Sequence, residues 1–200
     1  MNTARQVFLE RGYEATTMAA IAEAAGVVVE TIYRAFGGKA GLFKAVVEAA
    51  VAGGTARATV PIEERPAVQA IRAERDPRRQ LELYAATQPG IHARFGPLFR
   101  VFVAAAAADP ELAEVWKQLE AQRLWGSEHF ARLLASSNAL KPGLSMEQAR
   151  DVLWTIASHS VHELLVVERD WSPERYRDWL GETLVAVLLR PARRRRVAGG

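Results

Sequence analysis

Two histidines and a glutamate, His159, His162 and Glu163, come closest in type and spacing to a metal site. The histidines are three residues apart, so on a helix they share one face and could ligate a metal ion. Beyond the two histidines, no third ligand is indicated at a matching spacing, and a metal site needs three or four convergent donors. We therefore predict no metal ion and no cofactor. The two histidines are expected to have structural roles or to hydrogen-bond a ligand.

Catalytic residue types occur, but not in a catalytic arrangement. The sequence has no cysteine, which excludes disulfides, thiolate metal sites and cysteine nucleophiles. No serine lies in a nucleophile-elbow motif, and no glycine-rich phosphate-binding loop is present. We therefore predict that the protein is not an enzyme, and an all-α enzyme remains the remote alternative.

Aromatic residues recur along the central part of the chain, where most of them are expected to belong to the core and the others to line a cavity for an apolar ligand. Pockets between the helices of a bundle are mostly apolar and carry a few polar anchors. An arginine and three histidines are available as anchors here. The predicted residues for binding a mainly hydrophobic or aromatic small molecule are Phe99, Phe102, Trp116, Arg123, Trp125, His129, Trp154, His159 and His162.

A short predicted helix over residues 29–36 carries polar side chains that suit contact with nucleic acid. Ile32 and Phe36 take its inward positions. The outward or sideways positions belong to Glu30, Thr31, Tyr33 and Arg34. Such side chains hold phosphates or read base edges in the major groove.

The elements that must position these side chains form a helix-turn-helix over residues 17–36. Ala22 is a small residue where two helices touch, Gly26 lies at the turn, and Ile32 fixes the second helix. The helices predicted in and around the motif are 3–11, 18–25, 29–36 and 39–52.

The charge distribution gives this segment no bulk attraction for nucleic acid. The formal net charge is +3, and five arginines lie in residues 190–200, so removing those five charges leaves −2 on the rest. Within residues 1–50, five basic side chains are balanced by five glutamates. Binding of DNA must therefore depend on local placement of side chains.

The remainder of the chain predicts helices and no strands, so the fold class is all-α. Proline after a capping residue or a capping box marks several helix starts. The predicted helices are 66–75, 77–95, 97–108, 110–138, 146–169 and 173–190. The predicted domains are a DNA-binding helix-turn-helix domain at 1–50, a helical ligand-binding and dimerisation domain at 51–190, and an arginine-rich tail at 191–200 that we expect to be disordered.

Broad apolar faces on helices 110–138 and 146–169 predict burial on more than one side. A homodimer formed through these two helices, or through the last helix at 173–190, explains such faces. No apolar run is long enough to span a membrane. We expect a cytoplasmic protein without a membrane partner.

Residues 12–43, GYEATTMAAIAEAAGVVVETIYRAFGGKAGLF, resemble the N-terminal DNA-binding domain of the TetR family of bacterial transcriptional regulators. The resemblance rests on the glycine–aromatic pair, the paired threonines, and the runs IA-x-x-AGV, T-I-Y-x-x-F and K-x-x-L-F in register. It implies a dimeric repressor that releases double-stranded operator DNA when a small-molecule effector binds the C-terminal domain.

By position, the resemblance implies phosphate contacts from three residues and a recognition role for the helix at 29–36. Thr17, Tyr33 and Lys39 match the phosphate-contacting positions. The resemblance implies that Glu30, Thr31 and Arg34 contact base edges. For Glu30, interaction with the helix dipole or with solvent is the stronger interpretation.

Two positions depart from the family pattern. Val28 stands where a serine usually caps the recognition helix, and Gly38 replaces a common polar cap before Lys39. The loss of a cap costs about 1 kcal/mol, and the first predicted helix is shorter than in most members. The alternative function is therefore a helical ligand-binding protein whose DNA binding is weakened or lost.

Overall fold

The computed structural model describes residues 1–191, and the described fold is all-α, as predicted. A 3₁₀ turn at Ile62–Glu64 and a π-helical turn at Glu163–Val167 accompany the α-helices. Residues 192–200, most of the predicted tail, lie outside this range. The α-helices are α1 (Asn2–Arg11), α2 (Met18–Ala25), α3 (Val29–Phe36), α4 (Lys39–Ala52), α5 (Thr55–Ala58), α6 (Pro66–Ala73), α7 (Pro77–Ala106), α8 (Pro110–Ser136), α9 (Met146–Ile156), α10 (His159–His162) and α11 (Pro173–Leu188).

Capping side chains begin several of these helices where the sequence predicts them. The Oγ1 atom of Thr17 accepts a hydrogen bond from a backbone N–H at 3.1 Å at the start of α2. Ser145 and Gln148 form the predicted capping box of α9, and Ser172 caps α11. Each such cap contributes about 1 kcal/mol. Across residues 1–191, no helix has the length and hydropathy needed to cross a membrane.

The predicted break at Gly96 and Pro97 is wrong, because α7 runs through it with Pro89 and Pro97 inside the helix. An interior proline costs about 3 kcal/mol. Leu98 and Phe102, in the turns that follow, are almost fully buried, and burying each such side chain contributes about 1.5–3 kcal/mol. Burial of the helix beyond the proline therefore offsets the lost backbone hydrogen bond.

The predicted single helix over 146–169 is also wrong. α9 ends at Ile156, α10 is one turn long, and the π-helical turn follows. The hydroxyl of Ser158 accepts a hydrogen bond from the backbone N–H of Val161 at 3.3 Å and so caps a new helix. A serine that bonds the backbone competes with helix continuation, which explains the interruption.

The chain divides into two compact units. The first contains Met1–Gln69 and Thr87–Arg123, and the second contains Ala70–Ala86 and Leu124–Gly200, described to residue 191. The long helices α7 and α8 each contribute residues to both units. The domain boundaries predicted near residues 50 and 190 differ from this division and stay predictions.

In the first unit, α2 and α3 form the predicted helix-turn-helix. Gly26 ends α2 with a left-handed φ of 67°, a conformation that disfavours a residue with a Cβ atom. Ile21, Ala22 and Ile32 are buried, which leaves the opposite side of α3 in solvent.

Aromatic rings form the centre of the first unit's core. The ring of Phe43, on α4, has its centroid 4.9 Å from that of Phe8, 5.5 Å from that of Tyr13 and 5.3 Å from that of Phe102. Such tilted and edge-on contacts add to the burial of apolar area. α4 therefore packs against α1 and against the part of α7 that belongs to this unit.

The second unit has its own apolar core between the first part of α7, the last part of α8, and α9 and α11. Its fully or almost fully buried side chains include Leu81, Leu134, Leu153, Tyr176, Leu180 and Leu184.

Candidate functional site

α3 presents four exposed polar side chains beside the helix-turn-helix core. Glu30, Thr31 and Arg34 are exposed, and Tyr33 is half exposed. Ile32, between them in sequence, is buried and fixes which side of α3 faces outward. The predicted outward positions of these four polar residues are confirmed.

Thr17 lies in solvent at the start of α2 while its Oγ1 atom accepts the capping hydrogen bond. A hydroxyl has one donor hydrogen in addition to its lone pairs. The capping bond uses a lone pair, so the hydroxyl hydrogen remains able to donate to a phosphate oxygen. The cap and the predicted phosphate contact are therefore compatible.

Lys39 makes contacts that the sequence did not indicate. Its Nζ atom donates a hydrogen bond to the backbone carbonyl of Tyr13 at 3.0 Å and lies 4.3 Å from the centroid of the Tyr13 ring. An ammonium group has three donors, so this bond leaves others for a phosphate. Lys39 thus joins the start of α4 to the loop between α1 and α2.

The N-terminus of α3 lacks a side-chain cap, as the sequence predicts. Val28 takes the capping position without a side-chain hydrogen bond, and Gly38 does the same before α4. The side chain of Val28 is 66% exposed and that of Val27 is 44% exposed. Two apolar side chains in solvent at this end of α3 are a feature of the site that the sequence analysis did not consider.

Three further side chains join the helix-turn-helix segment to the parts of α7 and α8 in the first unit. The guanidinium of Arg94 donates to the carbonyls of Ala50 at 2.8 Å and Val51 at 3.4 Å. A cation is favourable at a helix C-terminus. Lys44 donates to the side-chain oxygen of Gln118 at 2.7 Å.

Tyr13 supplies the third connection. Its ring is buried, and its hydroxyl is hydrogen-bonded to the carboxylate of Asp109 before α8. Burial, followed by the charges of Asp109 and Glu111, raises the pKa of Tyr13 well above its ordinary value. The hydroxyl therefore stays protonated and donates to the carboxylate. No sequence signal indicated this pair, because the two residues are far apart along the chain.

The predicted ligand-binding residues are distributed over both units. In the first unit, Phe102 is buried, and Trp116 has its ring centroid 5.7 Å from that of Phe99 and 5.2 Å from that of Phe102. These rings adjoin the aromatic core around Phe43. Arg123 forms an ion pair with Glu120 at 2.8 Å.

The other predicted ligand-binding residues lie in the second unit. Trp125 and His129 are exposed, and the Nδ1 atom of His129 is 2.8 Å from the backbone oxygen of Trp125. Trp154 is partly buried, whereas His159 and His162 are buried. The assignment of these residues to a ligand site stays a prediction.

A surface groove of about 410 Å³ lies between α7 and α11 in the second unit. Charged side chains of both signs form its walls. The two helices pack closely where Ala85 on α7 faces Gly181 on α11. None of the predicted ligand-binding residues contributes to it. A charged groove does not match the hydrophobic ligand predicted from the sequence. Its lining residues are Arg78, Arg79, Glu82, Ala85, Ala86, Arg177, Asp178, Gly181, Glu182 and Val185.

Comparison by sequence identifies the N-terminal segment. Residues 1–46 match the family model for bacterial regulatory proteins of the tetR family. No curated protein matches the sequence significantly.

Comparison by structure extends to almost the whole chain. NalD, the secondary repressor of the MexAB-OprM multidrug efflux pump in Pseudomonas aeruginosa, has a TM-score of 0.70 at 22% identity, covering 96% of this chain and 94% of that chain. FadR from Bacillus subtilis, in complex with stearoyl-CoA, has a TM-score of 0.69 at 18% identity, covering 92% of this chain and 95% of that chain. A regulator from Saccharomonospora viridis, in complex with choline, has a TM-score of 0.66 at 15% identity, covering 95% of each chain. At these identities the likeness establishes the shared fold.

Proposed function

We propose that this chain, which carries the N-terminal domain of the TetR family of bacterial regulatory proteins at residues 1–46, is a dimeric repressor that a small hydrophobic effector releases from its operator. The exposed polar side of α3, beside a buried helix-turn-helix core, is the observation that carries the proposal. A cytoplasmic location, with access to chromosomal DNA, belongs to the same proposal.

DNA recognition in this proposal depends on short-range contacts. Thr31 and Arg34 read base edges in the major groove, where arginine forms a bidentate pair with guanine. Thr17, Tyr33 and Lys39 hold phosphates and fix the register of α3. The neutral charge of residues 1–50 supports this division, because phosphates must be held by individual donors and helix N-termini.

Val28 has a place in the same interface. The N-terminal residues of a recognition helix contact base edges, and this side chain is exposed there. An apolar side chain in the major groove contacts the methyl group of thymine. We therefore assign Val28 a preference for thymine, although the same residue leaves the helix without a cap.

The dimer follows from apolar surface in the second unit. Leu164 is 52% exposed and Val167 is 49% exposed in the protomer, within the 146–169 segment predicted to dimerise. Two-fold pairing of this segment, with a contribution from α8 or α11, covers these side chains. The proposal also requires the two recognition helices of the dimer to lie about one turn of DNA apart, to match a palindromic operator.

Release requires that the effector favour one conformation of the dimer over another. Only a ligand with different affinities for the two conformations can shift their populations. FadR and the Saccharomonospora viridis regulator were each solved with a small molecule, which supports a ligand for this chain. Arg94, Lys44 and Tyr13 join α4 and the α1–α2 loop to α7 and α8, so displacement of those helices would carry α3 with it.

Mobility shifts test the proposal, with DNA from the region upstream of the protein's own gene and with a pool of genomic fragments. We expect the protein to retard specific fragments. Arg34→Ala should weaken that binding about 5- to 150-fold, because a good base contact contributes about 1–3 kcal/mol. Arg72→Ala removes an exposed arginine of α6 and serves as the matched control, with unchanged binding.

Two results would count against the repressor. Failure to retard any fragment at low salt favours the alternative of a helical ligand-binding protein, in which uncapped α3 no longer binds DNA. Equal losses for Arg34→Ala and Arg72→Ala would show that binding is non-specific and does not use α3.

A further inference from the structure

A cluster of two histidines and a glutamate lies where α10 meets the π-helical turn, within the second unit. The Nε2 atom of His159 is 3.2 Å from a carboxylate oxygen of Glu163. One ligand atom from each of His159, His162 and Glu163 lies within 4.8 Å of the other two. The imidazoles are buried, whereas the Glu163 side chain is 20% exposed. Three metal-binding groups therefore converge, and Glu163 is the most exposed of them.

The local backbone explains why the groups converge. Positions three and four residues after His159 share its helix face, so the glutamate completes a set that the histidine spacing alone left at two. The π-helical turn begins at Glu163, and short π-helical segments occur frequently at functional sites. The Tyr176 ring packs edge-on against the His162 ring at 4.9 Å and limits its rotation.

We propose that His159, His162 and Glu163 bind a divalent transition-metal ion of the zinc class. Two imidazoles and one carboxylate form a donor set that zinc uses with an open fourth position for water or another ligand. Zinc bonds of about 2.0–2.2 Å in a tetrahedral site place neighbouring ligand atoms about 3.3–3.6 Å apart. The His159–Glu163 pair already lies near that separation, and the ligand atom of His162 lies within 4.8 Å of both, so a small displacement of that side chain completes the set. This site departs from the absence of a metal predicted from the sequence.

Titration of the metal-stripped, untagged full-length protein with Co(II) tests the site. Tetrahedral Co(II) gives visible d–d absorption, and the absence of cysteine removes thiolate bands from the spectrum. We expect one Co(II) per chain, displaced by Zn(II). Glu163→Gln, which keeps the side chain's size, should weaken binding by at least tenfold, because even an indirect partner of a ligand typically contributes 10–100-fold.

Matched variants make the outcome decisive. His129→Asn removes an exposed histidine of α8 and should leave Co(II) binding unchanged. Circular dichroism checks that Glu163→Gln and His129→Asn both remain folded. A wild-type protein that shows no d–d absorption with excess Co(II), or equal affinities in wild type and Glu163→Gln, would overturn the site. Loss of binding in His129→Asn would place the metal elsewhere.

Discussion

Tyr13 illustrates how one residue holds the helix-turn-helix segment in place. Its ring packs edge-on against Phe43, its backbone carbonyl accepts from Lys39, and its hydroxyl donates to Asp109. A hydrogen bond to a charged group contributes about 1.5–3 kcal/mol. Tyr13 therefore connects the loop before the helix-turn-helix with α4 and with the start of α8.

The raised pKa of Tyr13 predicts a loss of stability at high pH. Between the ordinary tyrosine pKa of about 10 and the higher folded-state value, the folded protein retains a proton that the unfolded chain releases. The free energy of unfolding therefore falls as the pH rises above 10, by up to about 1.4 kcal/mol per pH unit. Tyr13→Phe lacks this ionisation. As the pH rises above 10, wild type should therefore lose its advantage in free energy of unfolding over the variant.

Urea unfolding of both proteins from pH 8 to 11.5 measures this difference. At pH 8, Tyr13→Phe should be less stable than wild type by about 1–3 kcal/mol, because it lacks the bond to Asp109. Parallel stability curves for the two proteins across this pH range would contradict the assignment. Tyr176, whose pKa burial also raises, is common to both proteins and cancels in the comparison.

α3 is held firmly by a buried side chain at its middle, but its N-terminus has no side-chain cap. Ile32 anchors the helix to the core, while Val28 leaves its first backbone N–H groups without a side-chain partner. The helix therefore depends on tertiary packing for its position and not on its own cap. Its N-terminal turn is the part of the element where stability and the proposed DNA contact compete.

Val28→Ser should stabilise the protein by about 0.5–1 kcal/mol, because serine supplies the missing cap. Val27→Ser is the matched control, since it replaces an exposed valine one position outside the cap and should have little effect. Urea denaturation measures both. If Val28 contacts thymine, Val28→Ser should also weaken binding to fragments with thymine at that position, despite its greater stability. Equal stability changes for the two variants would exclude a capping effect.

The whole molecule requires a second copy in the proposed function. Exposed apolar side chains at Leu164 and Val167 are costly in a monomer and stabilising in a paired interface. A single DNA-binding domain with little net charge would have only its few local contacts. Pairing doubles those contacts on one palindromic site.

Leu164→Glu should convert the dimer to a monomer, because each protomer would bury an unpaired carboxylate in the two-fold interface. Size-exclusion chromatography with light scattering measures the mass, and mobility shifts should show loss of operator binding. Val103→Glu, which changes an exposed valine of α7 in the first unit, should remain dimeric. A wild-type monomer at micromolar concentration would contradict the dimer.

Local sequence patterns correctly specified the helix-turn-helix, the capping box of α9 and the all-α class. Gly26, Thr17 and Ser145 act through neighbours only a few residues away, so their effects can be read from spacing. The same locality explains the errors. Pro97 is expected to break a helix, but α7 continues through it because Leu98 and Phe102 are buried in the turns that follow. Ser158 is expected to lie inside one helix, but its hydroxyl accepts from the Val161 N–H and caps a new helix there.

The sequence thus established which residues of α3 face outward, since Ile32 and the helical period fix that face locally. The tertiary structure was needed for contacts between residues distant along the chain: the Tyr13–Asp109 bond and Arg94 at the end of α4. It was also needed for the convergence of His159, His162 and Glu163, although these are sequence neighbours, because side-chain rotamers and the π-helical turn set where their ligand atoms lie. Helix periodicity determines a face, whereas packing determines which atoms meet on it.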